Sequence, residues 1–281
     1  MIGSDLFTLF VIVVGWFSFL GLAKLLRLER YGLELHPLYV LVKSTRLNSL
    51  LERAGRWNPG FWRVAGNVAV VSFFGQVAYI SFMLFQNLYR FVFVPVQASP
   101  VMPLIPGVTI RFSSMPWFLA AAGVVILLHE LGHGVMCVAE GVAVRSAALL
   151  LAVLTFGGAV EPDEEGMEAA TLMSKLRIFA IGSLVNLVTA LVVLALYAAF
   201  MGRMPVWIGV FLNWVFFLSV NLAMVNMLPV YPLDGGQMAR VYLASQPNWG
   251  KVVERVAAYG FIALMASNLI LSLVKFGIVP L

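Results

Sequence analysis

Long apolar stretches, separated by polar connections, dominate the pattern of the sequence. Six of these stretches reach the length of about 20 residues that a helix rising 1.5 Å per residue needs to cross a bilayer. They lie near residues 5–24, 64–88, 116–138, 176–201, 206–228 and 256–276. The pattern predicts an all-α polytopic membrane protein with six transmembrane helices.

A further apolar stretch, residues 147–156, is too short to cross a bilayer. As a helix its ten residues would measure about 15 Å, and a Gly-Gly pair and an acidic run follow it. Irregular backbone at membrane depth needs protein or water as a hydrogen-bond partner. We therefore expect a hairpin or re-entrant segment packed against protein, and predict a small membrane-associated β element at 147–160.

The composition supports a bilayer environment. Of the 281 residues, 62% are hydrophobic and 11% are charged, whereas a soluble domain carries about 25% charged residues. These values exclude a soluble globular domain and a disordered chain, and a single cysteine excludes a disulfide scaffold. The net charge of +5 does not indicate a nucleic-acid partner, because the basic residues flank apolar stretches, where lipid headgroups lie.

The basic residues predict the orientation of the chain. Fourteen lysines and arginines lie in or at the edge of the odd-numbered connections, and three lie in the even-numbered ones. Since basic connections face the cytoplasm, we predict a multi-pass protein of the cell membrane with both termini outside. The first connection interleaves leucines with charges, so we expect a short amphipathic interfacial helix over residues 33–47.

The third apolar stretch carries the candidate chemistry, in the run LLHELGHGV. His129 and His133 lie four residues apart, so a helix presents both imidazoles on one face, close enough to share a metal ion. Glu130 completes H-E-x-x-H, the pattern of a zinc site whose glutamate is the general base. Each ionisable group at bilayer depth costs about 2.5–3.5 kcal/mol. This cost favours a bound zinc ion over packing or a proton relay.

Two histidines leave a catalytic zinc site short of a third protein ligand. The remaining histidine, His36, lies in the basic first connection and is a poor candidate. The acidic run at residues 161–168 is best interpreted as a solvated turn. Asp234 follows an apolar run broken by two prolines, and it belongs either to an Asp-Gly turn or to a buried polar site.

Two motifs together resemble the site-2 protease family of intramembrane zinc metalloproteases. One is HELGH in the third stretch, and the other is N-x-x-P-x-x-x-x-D-G, here Asn226, Pro229, Asp234 and Gly235. The resemblance covers residues 104–240 and implies that Asp234 is the third zinc ligand beside the two histidines. It also implies that Asn226 contacts the substrate backbone or the developing oxyanion.

A third element of that family's pattern, G-P-x-x-N, is only partly present. The chain has GSLVN, with Gly182 and Asn186 but with Ser183 in the proline position. We interpret this element as helix packing through a small residue, with one satisfied amide.

The resemblance implies an enzyme. We expect hydrolysis of peptide bonds within or near the transmembrane helix of a membrane-anchored protein substrate, with Zn²⁺ as cofactor and Glu130 moving the proton. The expected regions are an N-terminal transmembrane helix with its basic connection (1–63), an intramembrane metalloprotease core (64–255) and a C-terminal transmembrane helix (256–281). Because His133 lies near the predicted cytoplasmic end of its span, the site should open to the cytoplasm.

The substrate must also be accommodated. A helical substrate hides its peptide bonds in its own hydrogen bonds and has to unwind before cleavage. The extended segment then needs partners for its backbone groups. We expect residues 147–156 to offer an edge for strand addition.

Other functions explain part of the sequence. A transporter of zinc or another divalent cation would also place histidine and aspartate in the membrane, but Glu130 sits beside His129 instead of lining a path with further ligands. A membrane protease of the other H-E-x-x-H type, acting on prenylated peptides, needs a downstream intramembrane glutamate, and none fits that role. A catalytically inactive scaffold is disfavoured because each required group is present.

Overall fold

Apolar helices and one small sheet make up the computed structural model, which describes residues 2–105, 108–152, 156–200, 202–246 and 249–277. The helices are α1 (Ile2–Leu25), α2 (Thr45–Trp57), α3 (Pro59–Phe93), α4 (Met115–Ala139), α5 (Glu164–Ala169), α6 (Leu172–Phe200), α7 (Val206–Asn226), α8 (Asp234–Ala244) and α9 (Gly250–Phe276). The strands are β1 (Leu33–Leu35), β2 (Tyr39–Ser44), β3 (Val144–Ala152) and β4 (Phe156–Pro162). The predicted class, an all-α polytopic membrane protein with a small β element, is confirmed.

Five of the described helices are long and apolar enough to cross a membrane, namely α3, α4, α6, α7 and α9. They coincide with the second to sixth predicted spans, so the chain is a multi-pass membrane protein. Helix α1 coincides with the first predicted span, although its described apolar part, Val13–Leu25, is shorter than a crossing helix. The first crossing therefore stays a prediction of the sequence.

Helix α4 lies at the centre of the bundle. In its most apolar section 50% of the residues are buried, against 17% in α3 and in α9. Small residues such as Ala121, Gly132 and Gly134 are among those buried on α4, and they let neighbouring helices approach closely. This central position shields residues 129–133 from lipid and holds them on a rigid element.

Four strands form one antiparallel sheet in the order β1-β2-β3-β4. Strands β3 and β4 form the β element predicted at 147–160, of which residues 153–155 lie outside the described part of the chain. Strand β2 pairs along the other side of β3, with Val42 opposite Leu149. Among the described strands, β2 and β3 are each paired on both sides, so β1 and β4 are the edge strands of the sheet.

The first connection contains an amphipathic helix, as predicted, but this helix lies further along the chain than residues 33–47, so the predicted position was wrong. Residues 33–35 and 39–44 are strands, and the amphipathic helix α2 begins only at Thr45. Apolar and polar residues alternate from Leu33 to Leu35, which suits a strand, and pairing with β3 satisfies the backbone groups of β2. Helix α2 buries Leu51 against Val135 of α4.

A buried ionic cluster joins α3, α4 and α6 just beyond the end of α4. The Glu140 side chain is 3% exposed, and its Oε1 lies 3.0 Å from Nη1 of Arg177 and 3.7 Å from Nε of Arg63. Its Oε2 accepts a hydrogen bond of 2.5 Å from Oγ of Ser174. Removing one partner from a buried ion pair costs about 3–5 kcal/mol, because a charge is left uncompensated. The cluster therefore resists sliding of these three helices along one another.

Candidate metal centre

The two motif histidines of α4 lie side by side inside the bundle. Nε2 of His129 is 3.1 Å from Nε2 of His133, and the His129 side chain is 4% exposed. The spacing of four residues places both imidazoles on one face of the helix, as the sequence predicts. The burial of α4 removes them from contact with lipid.

Asp234 completes a cluster of three metal-ligating side chains. Its Oδ2 lies 3.1 Å from Nε2 of His129 and 3.4 Å from Nε2 of His133, and this buried oxygen has no hydrogen-bond donor beyond the two imidazoles. Tetrahedral zinc with bonds of about 2.0–2.1 Å separates its ligand atoms by about 3.3 Å. The donor set and its spacing therefore fit zinc. Among the described residues, no other three His, Cys, Asp or Glu side chains converge in this way.

A break between α7 and α8 brings Asp234 to the histidines. Helix α7 ends at Asn226 and Asp234 opens α8, with irregular backbone over residues 227–233. Gly235 and Gly236 approach the backbone of this loop so closely that neither has room for a β-carbon. The predicted unwinding after the fifth span is confirmed, and helix α8 is an addition that the sequence pattern did not indicate.

Two residues of α6 contact the histidine pair. A β-carbon at Gly182 would lie 2.6 Å from Cε1 of His129 and would also overlap Nε2 of His133. Asn186, one turn further along, is fully buried with its Nδ2 3.0 Å from Nδ1 of His129. The interpretation of Gly182 and Asn186 as general helix packing is therefore incomplete. Their spacing of four residues, which puts both on one face, was the signal available in the sequence.

Hydrogen bonds at Nδ1 orient both imidazoles. Nδ1 of His133 lies 2.6 Å from the carbonyl oxygen of Ile178, to which it can only donate, so Nε2 of this ring keeps its lone pair for a metal. Nδ2 of Asn186 faces Nδ1 of His129, and Oδ1 of Asn186 has no partner. If the Asn186 amide is turned over, its oxygen accepts the Nδ1–H of His129, and Nε2 of this ring then also keeps its lone pair for a metal. Such partners behind ligating imidazoles fix the orientation of the rings in metal sites.

Replacing Gly182 by alanine is expected to weaken zinc affinity by about 10- to 100-fold, the range found when the surroundings of a ligand are disturbed. The new methyl group would push the imidazoles away from Asp234. The measurement is zinc retention by the purified protein against a competing chelator. Gly123→Ala on α4 is the matched control, because a β-carbon there meets no atom within 4 Å. Equal zinc affinity in the two variants would show that α6 does not constrain the cluster.

Glu130 contacts the edge strand β4 and is not one of the three ligating side chains. Its Oε2 accepts a hydrogen bond of 3.1 Å from the backbone N–H of Val160. The side chain is half-buried. A carboxylate that lies beside a metal-ligating cluster without belonging to it is available to accept a proton.

Asn226, the last residue of α7, also reaches the cluster. Its Nδ2 lies 3.1 Å from Nε2 of His129, close to the point where the three ligand atoms converge. The resemblance implied that Asp234 is a zinc ligand and that Asn226 contacts the reacting group or the substrate backbone. The structure brings both side chains to His129.

The acidic run and His36 lie outside the cluster. Asp163 accepts the N–H of Gly166 at 2.9 Å and the Nε–H of Arg145 at 3.0 Å, and these interactions hold the pKa of its carboxyl below the usual value. Glu161 and His36 are exposed. The acidic side chains are therefore not metal ligands, as expected, but the predicted turn was wrong, because residues 161–162 end β4 and residues 164–168 belong to α5.

A metal-ligating cluster inside a bundle of membrane-length helices defines a membrane-embedded metalloprotein. The sequence matches peptidase family M50 over residues 117–206 and 203–267, which together make up more than half of the chain. The chain therefore belongs to peptidase family M50.

Proteins from distant organisms are similar to the chain. It is 35% identical over 133 residues to Rip3 of Mycobacterium tuberculosis, which bears the name zinc metalloprotease (45% of this chain, 32% of the relative). It is 26% identical over 201 residues to the membrane-bound transcription factor site-2 protease homolog of Arabidopsis thaliana (70% and 37%). It is 27% identical over 185 residues to the zinc metalloprotease MJ0392 of Methanocaldococcus jannaschii (61% and 50%). The chain thus spans about a third to a half of the length of these relatives.

Proposed function

We propose that the protein is an intramembrane zinc metalloprotease, which hydrolyses peptide bonds within or near the transmembrane segments of membrane-anchored proteins. One observation carries the proposal. Three ligating side chains converge inside a bundle of membrane-length helices, and Glu130 lies beside them against an edge strand. Membership of family M50 supports the same class of activity. This combination suits the hydrolysis of an extended peptide.

The proposed zinc ligands are His129, His133 and Asp234. When bound, zinc supplies a water activated near neutral pH and stabilises negative charge. The carbonyl group of Ile178 and the amide of Asn186 orient the two imidazoles from behind. The other two proposed roles belong to Glu130 and to Asn226.

Glu130 is proposed to take the proton of the attacking water and to return it to the leaving amine. Its position next to His129 in the chain keeps it within reach of the cluster without making it a ligand. Asn226 is proposed to donate its amide N–H to the developing oxyanion or to the substrate backbone. The distance of 3.1 Å between Nδ2 of Asn226 and Nε2 of His129 supports a role at the reacting group.

Strand β4 is the proposed docking site for the substrate backbone. The expectation that residues 147–156 offer this edge was wrong for residues 147–152, because β3 is paired on both sides. Strand β4 has one unpaired side, which faces Glu130, since the N–H of Val160 donates to that carboxylate. An unwound substrate segment needs partners for its backbone groups in the membrane, and strand addition to β4 would supply them.

The orientation is proposed from the asymmetry of basic residues, with both termini outside and the site opening to the cytoplasm. Residues 64–255 are proposed to form the protease core, since the proposed catalytic groups and ligands all lie there. Residues 1–63 complete the sheet of this core through β1 and β2, and the C-terminal region begins within α9, which ends at Phe276.

Replacing Asn226 by alanine is expected to lower turnover by roughly 10²–10³-fold, as for other single oxyanion donors, and to leave zinc content unchanged. The measurement is the steady-state cleavage rate together with metal analysis of the purified variant. A weaker apparent affinity at constant turnover would assign Asn226 to the substrate backbone instead. A change confined to thermal stability would contradict both roles and make Asn226 an interhelical hydrogen bond.

The proposed function is tested by reconstituting purified protein in vesicles with a panel of single-pass membrane proteins. Cleavage is mapped by mass spectrometry before zinc removal, after chelation and after zinc is added back. We expect cuts within or near transmembrane segments that disappear on chelation and return with zinc. Transport of zinc across the vesicle membrane with no cleavage of any substrate would contradict the proposal and favour a transporter.

A further inference from the structure

The hydrogen bond between Val160 and Glu130 joins the edge strand to the candidate general base. We infer that the backbone N–H of Val160 positions Glu130 for proton transfer. By holding Oε2, it leaves Oε1 as the oxygen that exchanges the proton. The inference rests on the proposed function of the site, and it gives the sheet a second role besides docking the substrate.

Packing of the Val160 side chain fixes where this N–H lies. Val160 packs in a small apolar cluster with Leu51 of α2 and with Leu131 and Val135 of α4. The buried residues of this cluster are Leu51 and Val135, and Val135 lies on the same helix as Glu130, so α4 holds both the side chain and the backbone of Val160. A register slip of one residue would turn the Val160 side chain out of this cluster. The N–H is therefore presented to Glu130 at a defined position.

The N–H of Val160 is not needed by the hairpin. In an antiparallel pair, successive residues direct their N–H groups alternately to the partner strand and away from it. Since Val160 donates to Glu130, Val160 and Ala147 form a non-hydrogen-bonded pair in the β3–β4 register. Removal of this N–H therefore leaves the hydrogen bonds of the hairpin in place.

A carboxylate that accepts a hydrogen bond at one oxygen presents its other oxygen in a fixed direction. A hydrogen bond to an ionised group is about twice as strong as one between neutral groups. Without it, the Glu130 side chain samples orientations that do not reach the reacting proton. A misplacement of about 1 Å at a catalytic group can lower the rate by about 10²-fold.

The inference is tested with two variants that lack the N–H. One is Val160→Pro, which an edge strand tolerates where the N–H faces away from the ladder. The other replaces the amide of Val160 by an ester, through incorporation of the hydroxy acid that has the valine side chain. Val160→Ala is the matched control, because it keeps the N–H and shortens the side chain.

We expect both N–H-deleting variants to show a kcat lower by roughly 10²-fold, with KM and zinc content unchanged. Val160→Ala keeps the N–H but loosens its packing, so it should lower kcat clearly less than either N–H-deleting variant. An unchanged kcat in the ester variant would overturn the inference. So would a raised KM at constant kcat, because the N–H would then serve the substrate and not Glu130.

Hydrogen exchange at the Val160 amide gives a test that does not depend on activity. Exchange is expected to accelerate in Glu130→Ala, because this amide loses its partner. Equal exchange in Glu130→Ala and the parent protein would overturn the inference. If no substrate is cleaved but exchange still accelerates, the contact between Val160 and Glu130 is supported and the proposed protease function is the part that fails.

Discussion

Replacing Glu130 by glutamine is expected to remove peptide hydrolysis while leaving one zinc ion per chain. Glutamine has the shape of glutamate, and its amide oxygen can still accept the N–H of Val160, but it cannot take up a proton. General acid–base catalysis contributes about 10²–10⁴-fold to a rate, so a loss of that size is expected. The measurements are the initial rate of substrate cleavage in vesicles and the zinc content of the same preparation.

The control for this substitution is Glu161→Gln, which changes an exposed carboxylate of the acidic run. It should leave both the cleavage rate and the zinc content unchanged. Retention of most of the cleavage rate in Glu130→Gln would show that Glu130 is structural. Loss of zinc in the same variant would show that Glu130 is itself a ligand.

Replacing Asp234 by alanine is expected to remove most of the bound zinc, and activity with it. Two histidines remain, whereas a catalytic zinc site has three protein ligands. Loss of a group that hydrogen-bonds a metal ligand lowers metal affinity by about 10- to 100-fold. Loss of the ligand itself should lower zinc affinity by more than about 10²-fold. Chelator competition on the purified protein measures this difference.

Glu161→Ala is the matched variant for this experiment as well, since it removes a carboxylate that lies outside the cluster. It should retain zinc as the parent protein does. If Asp234→Ala kept its zinc and Glu161→Ala lost it, the assignment of the third ligand would be wrong.

The sequence alone predicts the elements that the bilayer imposes. A crossing helix needs about 20 apolar residues and satisfies its own backbone, so α3, α4, α6, α7 and α9 are visible as hydrophobic stretches. The pairing of His129 with His133 follows from the same helical periodicity. The ten-residue stretch from 147 is too short for a helix that crosses the bilayer, and this constraint predicts the β element.

Structural features that depend on contacts between distant parts of the chain could not be predicted from the local sequence pattern. Strand β2 lies between β1 and β3, and β3 follows two long helices later in the chain, so the residues of β2 were assigned to an interfacial helix. Helix α8 begins with Asp-Gly-Gly, a sequence typical of a turn. Asp234 was assigned as a ligand beside the histidines by family resemblance, because its distance from them along the sequence does not indicate that they lie close together. The hydrogen bond from Val160 to Glu130 is donated by a backbone N–H. Nearly every residue type has this group, so the amino-acid sequence does not reveal the contact.

The sheet joins strands that are synthesised at different times, so it can form only after α3 and α4 have been made. Strand β2 emerges before α3 and α4, and β3 emerges after them, yet Val42 pairs with Leu149. Until β3 has been made, one side of β2 lacks its partner strand and can pair with another chain. Incomplete chains are therefore prone to misassembly. Val160 follows soon after β3, whereas Asp234 is made only after α6 and α7. The nascent chain thus acquires the partner of Glu130 before its third metal ligand, and it holds no complete hydrolytic centre until α8 begins to be made.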